Sequence, residues 1–348
     1  MKSDDNRVEV AMSSDQNYAH GLIVTAASMA AYADKNIVLS LNILDGGIND
    51  ETFDAFVKLI QCIHPKVEFR RFPVSEMEFA DLPAWSGSRM TYVRLVLARL
   101  LPDVEFVIYC DVDFLWLRDV AELWKCRDSQ YVLQSVKDMD DTVQKEACWF
   151  RKNGLPFNSE KYVCCGLSMY NLERIRGMNV IPCILDFMRS HPDIQFPDQT
   201  AMNATQSQYI GLLPGHWQKY SRFLTEQDVI DGCVVHYAGD IPWKRTGITS
   251  PLSDAMILWH AVHARVRGMS VWGSLAMFFS VPKIMMARLS YLMSITPVMR
   301  FAYFVLLKIL GHSICAAKLK MRNRRFSIRR RTIVTVTERF PLCELASA

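Results

Sequence analysis

Between Ala255 and Thr337 the chain carries no Asp or Glu. Residues 255–348 hold 15 Lys and Arg against only Glu338 and Glu344, a balance of +13 that leaves −9 for the rest of a chain whose total is +4. An acidic body joined to a basic, apolar tail implies two jobs, with a boundary near Ser250-Pro251 that divides the chain into 1–250 and 251–348. Other absences narrow the class. The ten cysteines are scattered, with Cys164-Cys165 the one adjacent pair and no C-x-x-C repeat. That spacing fits neither a zinc site nor a disulfide framework. Met1–Glu9 is polar and charged, unlike a secretory leader, so reduced thiols in a cytoplasmic protein are expected. No G-x-G-x-x-G follows the first apolar run, which removes the dinucleotide fingerprint. In the tail the longest uncharged piece, Gly268–Pro282, is shorter than the roughly 20 residues a spanning helix needs.

What is present is a series of short apolar runs in a chain that is 50% apolar, enough for one large domain and an appendage. Val8–Met12, Ile37–Leu44 and Val67–Phe72 read as strands, separated by helices over about Leu22–Tyr32 and Asn49–Ile60. That is βαβαβ, the half-unit of a doubly wound α/β sheet. Ser88–Leu101 reads as a helix with Met90, Val93, Leu97 and Leu100 on one face. Val104–Cys110 follows as a buried strand, then a helix from Val120 and strands at Tyr131–Val136 and Tyr162–Asn171. Helices at Pro182–Arg189 and Thr200–Ala204 and a strand at Gly232–Tyr237 complete the series.

The chemistry gathers where Val104–Cys110 ends abruptly in Asp111-Val112-Asp113. Side chains alternate along extended backbone, so Asp111 and Asp113 point to one side. Two converging carboxylates repel unless a cation lies between them, and oxygen ligands suit Mg²⁺ or Mn²⁺. The bland alternative is a pair of solvated turn aspartates, against which Phe114–Leu117 is an oddly apolar continuation. Ser13-Ser14-Asp15-Gln16-Asn17-Tyr18 joins the first strand to the first helix, a layout that holds nucleotides. Asp15 there pairs with a base edge or caps the helix, and Tyr18 is placed to stack on a base. Arg94 either grips a phosphate or ribose with its fork of donors or makes a surface ion pair. Asp138, Asp140 and Asp141 form an acidic loop, solvated or facing a hydroxylated acceptor. Gly166 interrupts a strand, as where a ligand or another backbone comes close. Asp198 is a helix cap or, with Gln199, a compact donor–acceptor pair. His236 ends the last strand, either structural or a metal ligand, and Gly239 and Lys244 lie in the loop beyond.

Taken in order, these pieces resemble glycosyltransferase family 8, which contains bacterial lipopolysaccharide galactosyl- and glucosyltransferases and glycogenin. Ser13–Tyr18 looks like the family's A-x-D-x-N-Y, Thr91–Leu95 its arginine-bearing helix, and Tyr109–Asp113 its Y-L-D-x-D. Cys164–Leu172 resembles N-x-G-x-x-x-x-N-L, Asp198–Asn203 resembles D-Q-D-x-L-N, and His236–Trp243 resembles H-x-x-G-x-x-K-P-W. The likeness covers roughly residues 8–245.

The resemblance implies a GT-A fold: a Rossmann-like nucleotide-binding half in a mixed central sheet flanked by helices. It implies a retaining transfer of galactose or glucose from a UDP-sugar to a glycan or glycolipid acceptor. Asp111, Asp113 and His236 would hold Mn²⁺ or Mg²⁺ against the leaving UDP. Ser13, Asp15, Asn17 and Tyr18 would hold uridine and the backbone around Val112 the ribose, while Arg94, Asp198 and Gln199 would face the donor sugar. Gln199 is the residue nearest the role of nucleophile. Gly166, Gly239 and Lys244 would complete the donor pocket. Two positions depart from the pattern: Cys164 replaces the usual Asn, and Ile241 stands where a phosphate-contacting lysine is usual, with Lys244 or Arg245 as substitutes. These departures support the alternative of a non-catalytic, membrane-associated nucleotide-sugar binder.

Residues 256–310 are apolar with isolated basic residues, and Lys318–Arg331 is a basic cluster. Basic helices with Trp, Phe and Met faces lie in the headgroup plane of anionic bilayers. Residues 256–331 are therefore expected to meet an anionic membrane surface rather than nucleic acid, whose binding arms are less greasy. This puts the protein at the inner face of a bacterial plasma membrane, where lipid-linked acceptors for lipopolysaccharide or a similar surface polysaccharide are found.

Overall fold

The computed structural model describes residues 6–85, 88–244, 253–279, 328 and 330–341. The chain forms two units, Met1–Gln218 and Lys219–Ala348. The boundary drawn at 250 and 251 lies outside the described residues.

The first unit is α/β, its elements labelled in chain order. β1 (Arg7–Ser14), α1 (Ala19–Tyr32), β2 (Val38–Asp45), α2 (Asp50–Ile63) and β3 (Val67–Pro73) are the expected βαβαβ. α3 (Leu97–Leu100), β4 (Phe106–Cys110), β5 (Phe114–Trp116), α4 (Val120–Trp124) and β6 (Leu133–Lys137) follow. Next come α5 (Asp140–Lys152), β7 (Val163–Asn171), α6 (Leu172–Gly177), α7 (Val180–Ser190), α8 (Pro197–Gln206) and β8 (Ile210–Leu212). Seven strands make one sheet in the order β3-β2-β1-β4-β7-β6-β8. β1 pairs in parallel with both β2 and β4. β7 runs antiparallel between β4 and β6, so the sheet is mixed. Chain order reverses direction between β1 and β4, and ligands bind outside the carboxyl ends of strands at such a point. Ser13, Ser14 and Asp111 stand at that edge.

β1, β2 and β4 are buried along nearly their whole length because helices cover the sheet. α1 is apolar and alanine-rich, and it is buried on all sides from Leu22 to Ala30. Its Thr25 hydroxyl lies 2.7 Å from both the Val112 and Phe114 carbonyls, and its Ser28 Oγ accepts from the Trp116 amide at 3.0 Å. Those bonds explain the apolar residues after the D-x-D. Phe114–Trp116 is a short buried strand seated on α1, not an exposed turn.

The helix expected over 88–101 is a 3-10 helix from Met90 to Val96, and only Leu97–Leu100 is α-helical. The cause is local. Arg94 Nε donates to the Thr91 carbonyl at 2.9 Å, and the Tyr92 hydroxyl donates to the Pro83 carbonyl at 2.6 Å. Side chains thus hold the backbone in the tighter turn that short segments tolerate.

The second unit contains β9 (Lys219–Tyr220), α9 (Glu226–Asp231), β10 (Val234–His236), α10 (Asp254–Val266), α11 (Val271–Phe278) and α12 (Arg330–Glu338). β10 pairs in parallel with β9. α10 is capped by Ser253 and buried at Ala255, Met256, Leu258–Ala264 and Val266. The Tyr237 hydroxyl donates to its Ala255 carbonyl at 2.7 Å, and Trp259 packs 5.4 Å from Trp243. On its other side Trp259 stacks on His263 at 5.1 Å. Burial draws the His260 pKa down to about 3, so that imidazole is uncharged at neutral pH. α10 is therefore buried along most of its length. Most of the tail expected to meet one, including residues 280–327, lies outside the described residues. Among the described residues no helix is long and apolar enough to cross a membrane.

Trp259 is fully buried between Trp243, His263 and Phe278. Trp259→Ala should destabilise the second unit by about 3–5 kcal/mol. Thermal unfolding with Trp fluorescence as the readout checks this, and an unchanged transition contradicts the packing.

Candidate active site

The site is built around Arg94. Its side chain is 7% exposed, and its guanidinium lies 4.5 Å from the centre of the Tyr109 ring. Nη1 donates to the Cys165 carbonyl at 2.7 Å. Nη2 donates to Asp111 Oδ1 at 2.8 Å and Oδ2 at 3.2 Å. Nε lies 3.2 Å from Asp198 Oδ2. Burial opposes this positive charge, yet Asp111, Tyr109 and Asp198 outweigh it and hold the pKa well above its ordinary value. One buried cation thus joins the D-x-D at the end of β4 to the first turn of α8. The surface ion-pair alternative for Arg94 is excluded by this burial.

Asp111 is also anchored by backbone. Its amide donates to the Gly166 carbonyl at 2.7 Å, and its carboxylate accepts from the Tyr109 hydroxyl at 2.9 Å. Tyr109 shares a hydrogen bond of 2.8 Å with Ser13 at the end of β1. β7 supplies the Gly166 and Cys165 carbonyls; the Gly166 bond extends the antiparallel β4–β7 ladder by one step, and pairing on the other edge, with β6, is irregular between Ser135 and Lys137. The Ser135 hydroxyl fills that gap, reaching the Leu167 carbonyl at 2.6 Å. A bulge that re-aims groups beside a site is a recurrent device. Asp113 is partly exposed at the same edge.

Asp198 is not the cap of α8. The preceding Phe196 holds that position, Pro197 opens the helix, and Asp198 lies in the first turn. There it is 7% exposed and accepts from the Thr91 hydroxyl at 3.0 Å. Gln199 is oriented at both ends: Oε1 accepts from the Cys165 amide at 3.1 Å, and Nε2 donates to Asp138 Oδ2 at 2.8 Å. The acidic loop is therefore divided: Asp140 and Asp141 are exposed to solvent, and Asp138 is not. Asp138 is buried against Gln199, and Asp140 and Asp141 form the first turn of α5, where the helix dipole favours acids.

At the end of β1, Asp15 caps a 3-10 turn over Gln16–Tyr18, accepting from the Tyr18 amide at 3.0 Å. Asn17 reaches the other carboxylate oxygen at 3.4 Å and is exposed. The Val112 side chain is 6% exposed, and its carbonyl is occupied by Thr25. In the second unit, His236 is 6% exposed and stacks 5.3 Å from Tyr220. Gly239 adopts φ +76°, a left-handed conformation that favours glycine, and Lys244 is exposed.

Sequence reasoning missed Tyr109, Thr91, Tyr162 and Glu146. Tyr109 was readable, since it shares the alternation that aligns Asp111 and Asp113. Glu146 was readable too: it interrupts the apolar stripe of Val143, Trp149 and Phe150 on α5. It is fully buried, accepting at Oε2 from Tyr162 at 2.9 Å and Thr200 at 2.8 Å. Burial pushes its pKa up.

The sequence model of glycosyl transferase family 8 matches residues 9–247. A Haemophilus influenzae protein named, provisionally, as a glycosyltransferase is 29% identical over 199 residues, 56% of this chain and 58% of that protein. General stress protein A of Bacillus subtilis is 25% identical over 205 residues, 58% of this chain and 69% of that protein. Among solved structures, the apo bifunctional glycosyltransferase WbbM aligns at TM-score 0.61 and 19% identity, over 80% of this chain and 53% of WbbM. The galactosyltransferase LgtC, solved with donor and acceptor sugar analogues, aligns at TM-score 0.58 and 22% identity, over 68% of this chain and 90% of LgtC. The chain thus spans little more than half the length of the Haemophilus protein and of WbbM. The shared architecture is the GT-A fold.

Removing Arg94 leaves Asp111 and Asp198 facing each other without their cation. Arg94→Met should cost about 3–5 kcal/mol, and Asp198→Asn in the same chain should recover part of it. Urea denaturation of the single and double variants measures both. Equal stability of Arg94→Met and wild type contradicts the arrangement.

Proposed function

The chain belongs to glycosyl transferase family 8, and we propose that it is a retaining hexosyltransferase moving galactose or glucose from a UDP-sugar to a glycan acceptor. The observation that carries this reading is the Arg94 bridge. It fixes the D-x-D carboxylate, at one end of the site, and Asp198 beside Gln199, at the other. A donor has the same two ends, a diphosphate and a sugar.

Among the described residues no three His, Cys, Asp or Glu side chains gather as a metal cluster, so the fit to a divalent cation rests on the chemistry of the D-x-D and on the resemblance. Asp111 and Asp113 offer hard oxygen ligands at a partly exposed strand end, and His236 offers an imidazole nitrogen. These three would hold Mn²⁺ or Mg²⁺, which when bound neutralises charge on a departing diphosphate. Arg94 and the Tyr109 hydroxyl would orient the Asp111 carboxylate toward that cation. Asp15, Asn17 and Tyr18, with Ser13, would receive the uracil and ribose at the switch point. Asp198 and Gln199 would face the sugar, with Gly166 allowing close approach and Gly239 and Lys244 lying toward the phosphates. Gln199 Oε1 is an uncharged acceptor suited to meeting positive charge developing at an anomeric carbon.

The acceptor is proposed to be lipid-linked, of the kind used for lipopolysaccharide or a similar surface glycan. The protein would then work as a peripheral protein on the inner face of a bacterial plasma membrane. The +13 balance of residues 255–348 supports this.

The direct test is UDP release from UDP-glucose and UDP-galactose, with Mn²⁺ and with chelator. Turnover should require metal, and Asp113→Ala should lose at least about 10²-fold in kcat. Full activity of Asp113→Ala, or no release from either donor, defeats the assignment. The membrane reading predicts co-flotation with vesicles of anionic lipid at about 0.1 M salt and release at about 1 M, since screening shortens charge attraction. Equal flotation with neutral vesicles contradicts it.

A further inference from the structure

Behind Gln199 lies a buried carboxyl that the proposed reaction does not use. Glu146 on α5 is fully buried, and Oε1 has no hydrogen-bond partner among the described residues. Oε2 accepts from the Tyr162 hydroxyl at 2.9 Å and the Thr200 hydroxyl at 2.8 Å. Both donors adjoin Gln199. Thr200 is its chain neighbour on α8, and the Tyr162 oxygen lies 3.4 Å from Gln199 Nε2. Such a group lowers stability, because a desolvated carboxyl with an unbonded oxygen costs more than a neutral side chain of similar size. A costly group beside a site marks a functional constraint rather than a packing choice.

We propose that Glu146 is a positioning residue for Gln199, setting which way round its amide lies through the hydroxyls of Tyr162 and Thr200. As a carboxylate Glu146 only accepts, so both hydroxyls donate toward its Oε2. The Tyr162 oxygen is then left as an acceptor and draws the Gln199 NH₂ end. Asp138, whose Oδ1 is held by the Met139 amide at 2.7 Å, draws the same end through Oδ2. With two acceptors on the nitrogen side and the Cys165 amide on the oxygen side, a single amide orientation survives. In it Oε1 keeps a second lone pair for the donor sugar. A glutamine at position 146 presents either oxygen or NH₂ to the hydroxyls, and that polarity is lost. The charged or titratable neighbours are Asp138, whose charge also raises the Glu146 pKa, and Tyr162.

This inference rests on Gln199 facing the donor sugar, and the experiment separates the two. Glu146→Gln and Tyr162→Phe are made in the full chain, singly and together. At about pH 7.5 the melting temperature of Glu146→Gln should rise, because a destabilising buried acid has been removed. Its kcat should fall about tenfold, with donor KM changed less than about twofold. Tyr162→Phe should lower kcat similarly, and the double variant should be no slower than the slower single, since both break one path. The Gln199 side-chain amide resonance, assigned by its loss in Gln199→Ala, should shift in Glu146→Gln. A fall in melting temperature together with kcat makes Glu146 merely structural and overturns the proposal. So does an unshifted Gln199 resonance, whether or not the wild type turns over. A shifted resonance in a protein that releases no UDP supports the positioning role and defeats the transferase reading instead.

Discussion

A guanidinium withdrawn from water has to meet its charge inside the protein, and the site is arranged around that demand. Arg94 meets Asp111 and Asp198 and two carbonyls, at Cys165 and Thr91. These partners come from four pieces of chain: the 3-10 helix, the end of β4, the irregular stretch of β7 and the first turn of α8. Each departs from regular geometry where Arg94 needs it. The 3-10 helix is tightened because Arg94 binds its own third-preceding carbonyl. β7 breaks register beside β6 in the same stretch from which the Cys165 carbonyl meets Arg94. α8 opens on Pro197, which needs no amide partner, and so places Asp198 in the turn where the helix dipole favours acids. Removing a charge from water is tolerable only when geometry of this quality compensates it.

A second polar layer lies behind the first. Along α8, Thr200 binds Glu146, Gln199 binds Asp138 and Cys165, and Asn203 brackets the backbone of Val163 with two bonds of 2.9 Å. The bonds to Val163 and Cys165 satisfy backbone groups of β7. The second unit is held differently. Its helices close on a buried cluster of Trp259, His260, His263 and Phe278, with the Ser274 hydroxyl 2.8 Å from both histidine Nδ1 atoms.

Much of this was legible in the chain itself. Strand identity followed from short β-branched runs, and the α/β class from their alternation with amphipathic or alanine-rich helices. The D-x-D and its place at a strand end came from an apolar run stopping at two acids. The acidic loop was legible only in part, because Asp138, Asp140 and Asp141 are close in sequence but only the last two are exposed. Asp138 faces Gln199 across 61 positions, whereas Asp140 and Asp141 open a helix. Asp198 was read as a possible cap because its true partner, Arg94, is remote in the chain.

The amino-acid order alone determined the local elements, the charge division between body and tail, and the family pattern, because these depend on neighbours within a few residues. Tertiary structure alone decided which acids are buried, which carbonyls Arg94 meets and which way the Gln199 amide is drawn. It also decided that the first helix of the basic tail is buried within the second unit. Those outcomes depend on desolvation, and desolvation depends on what distant segments bring together.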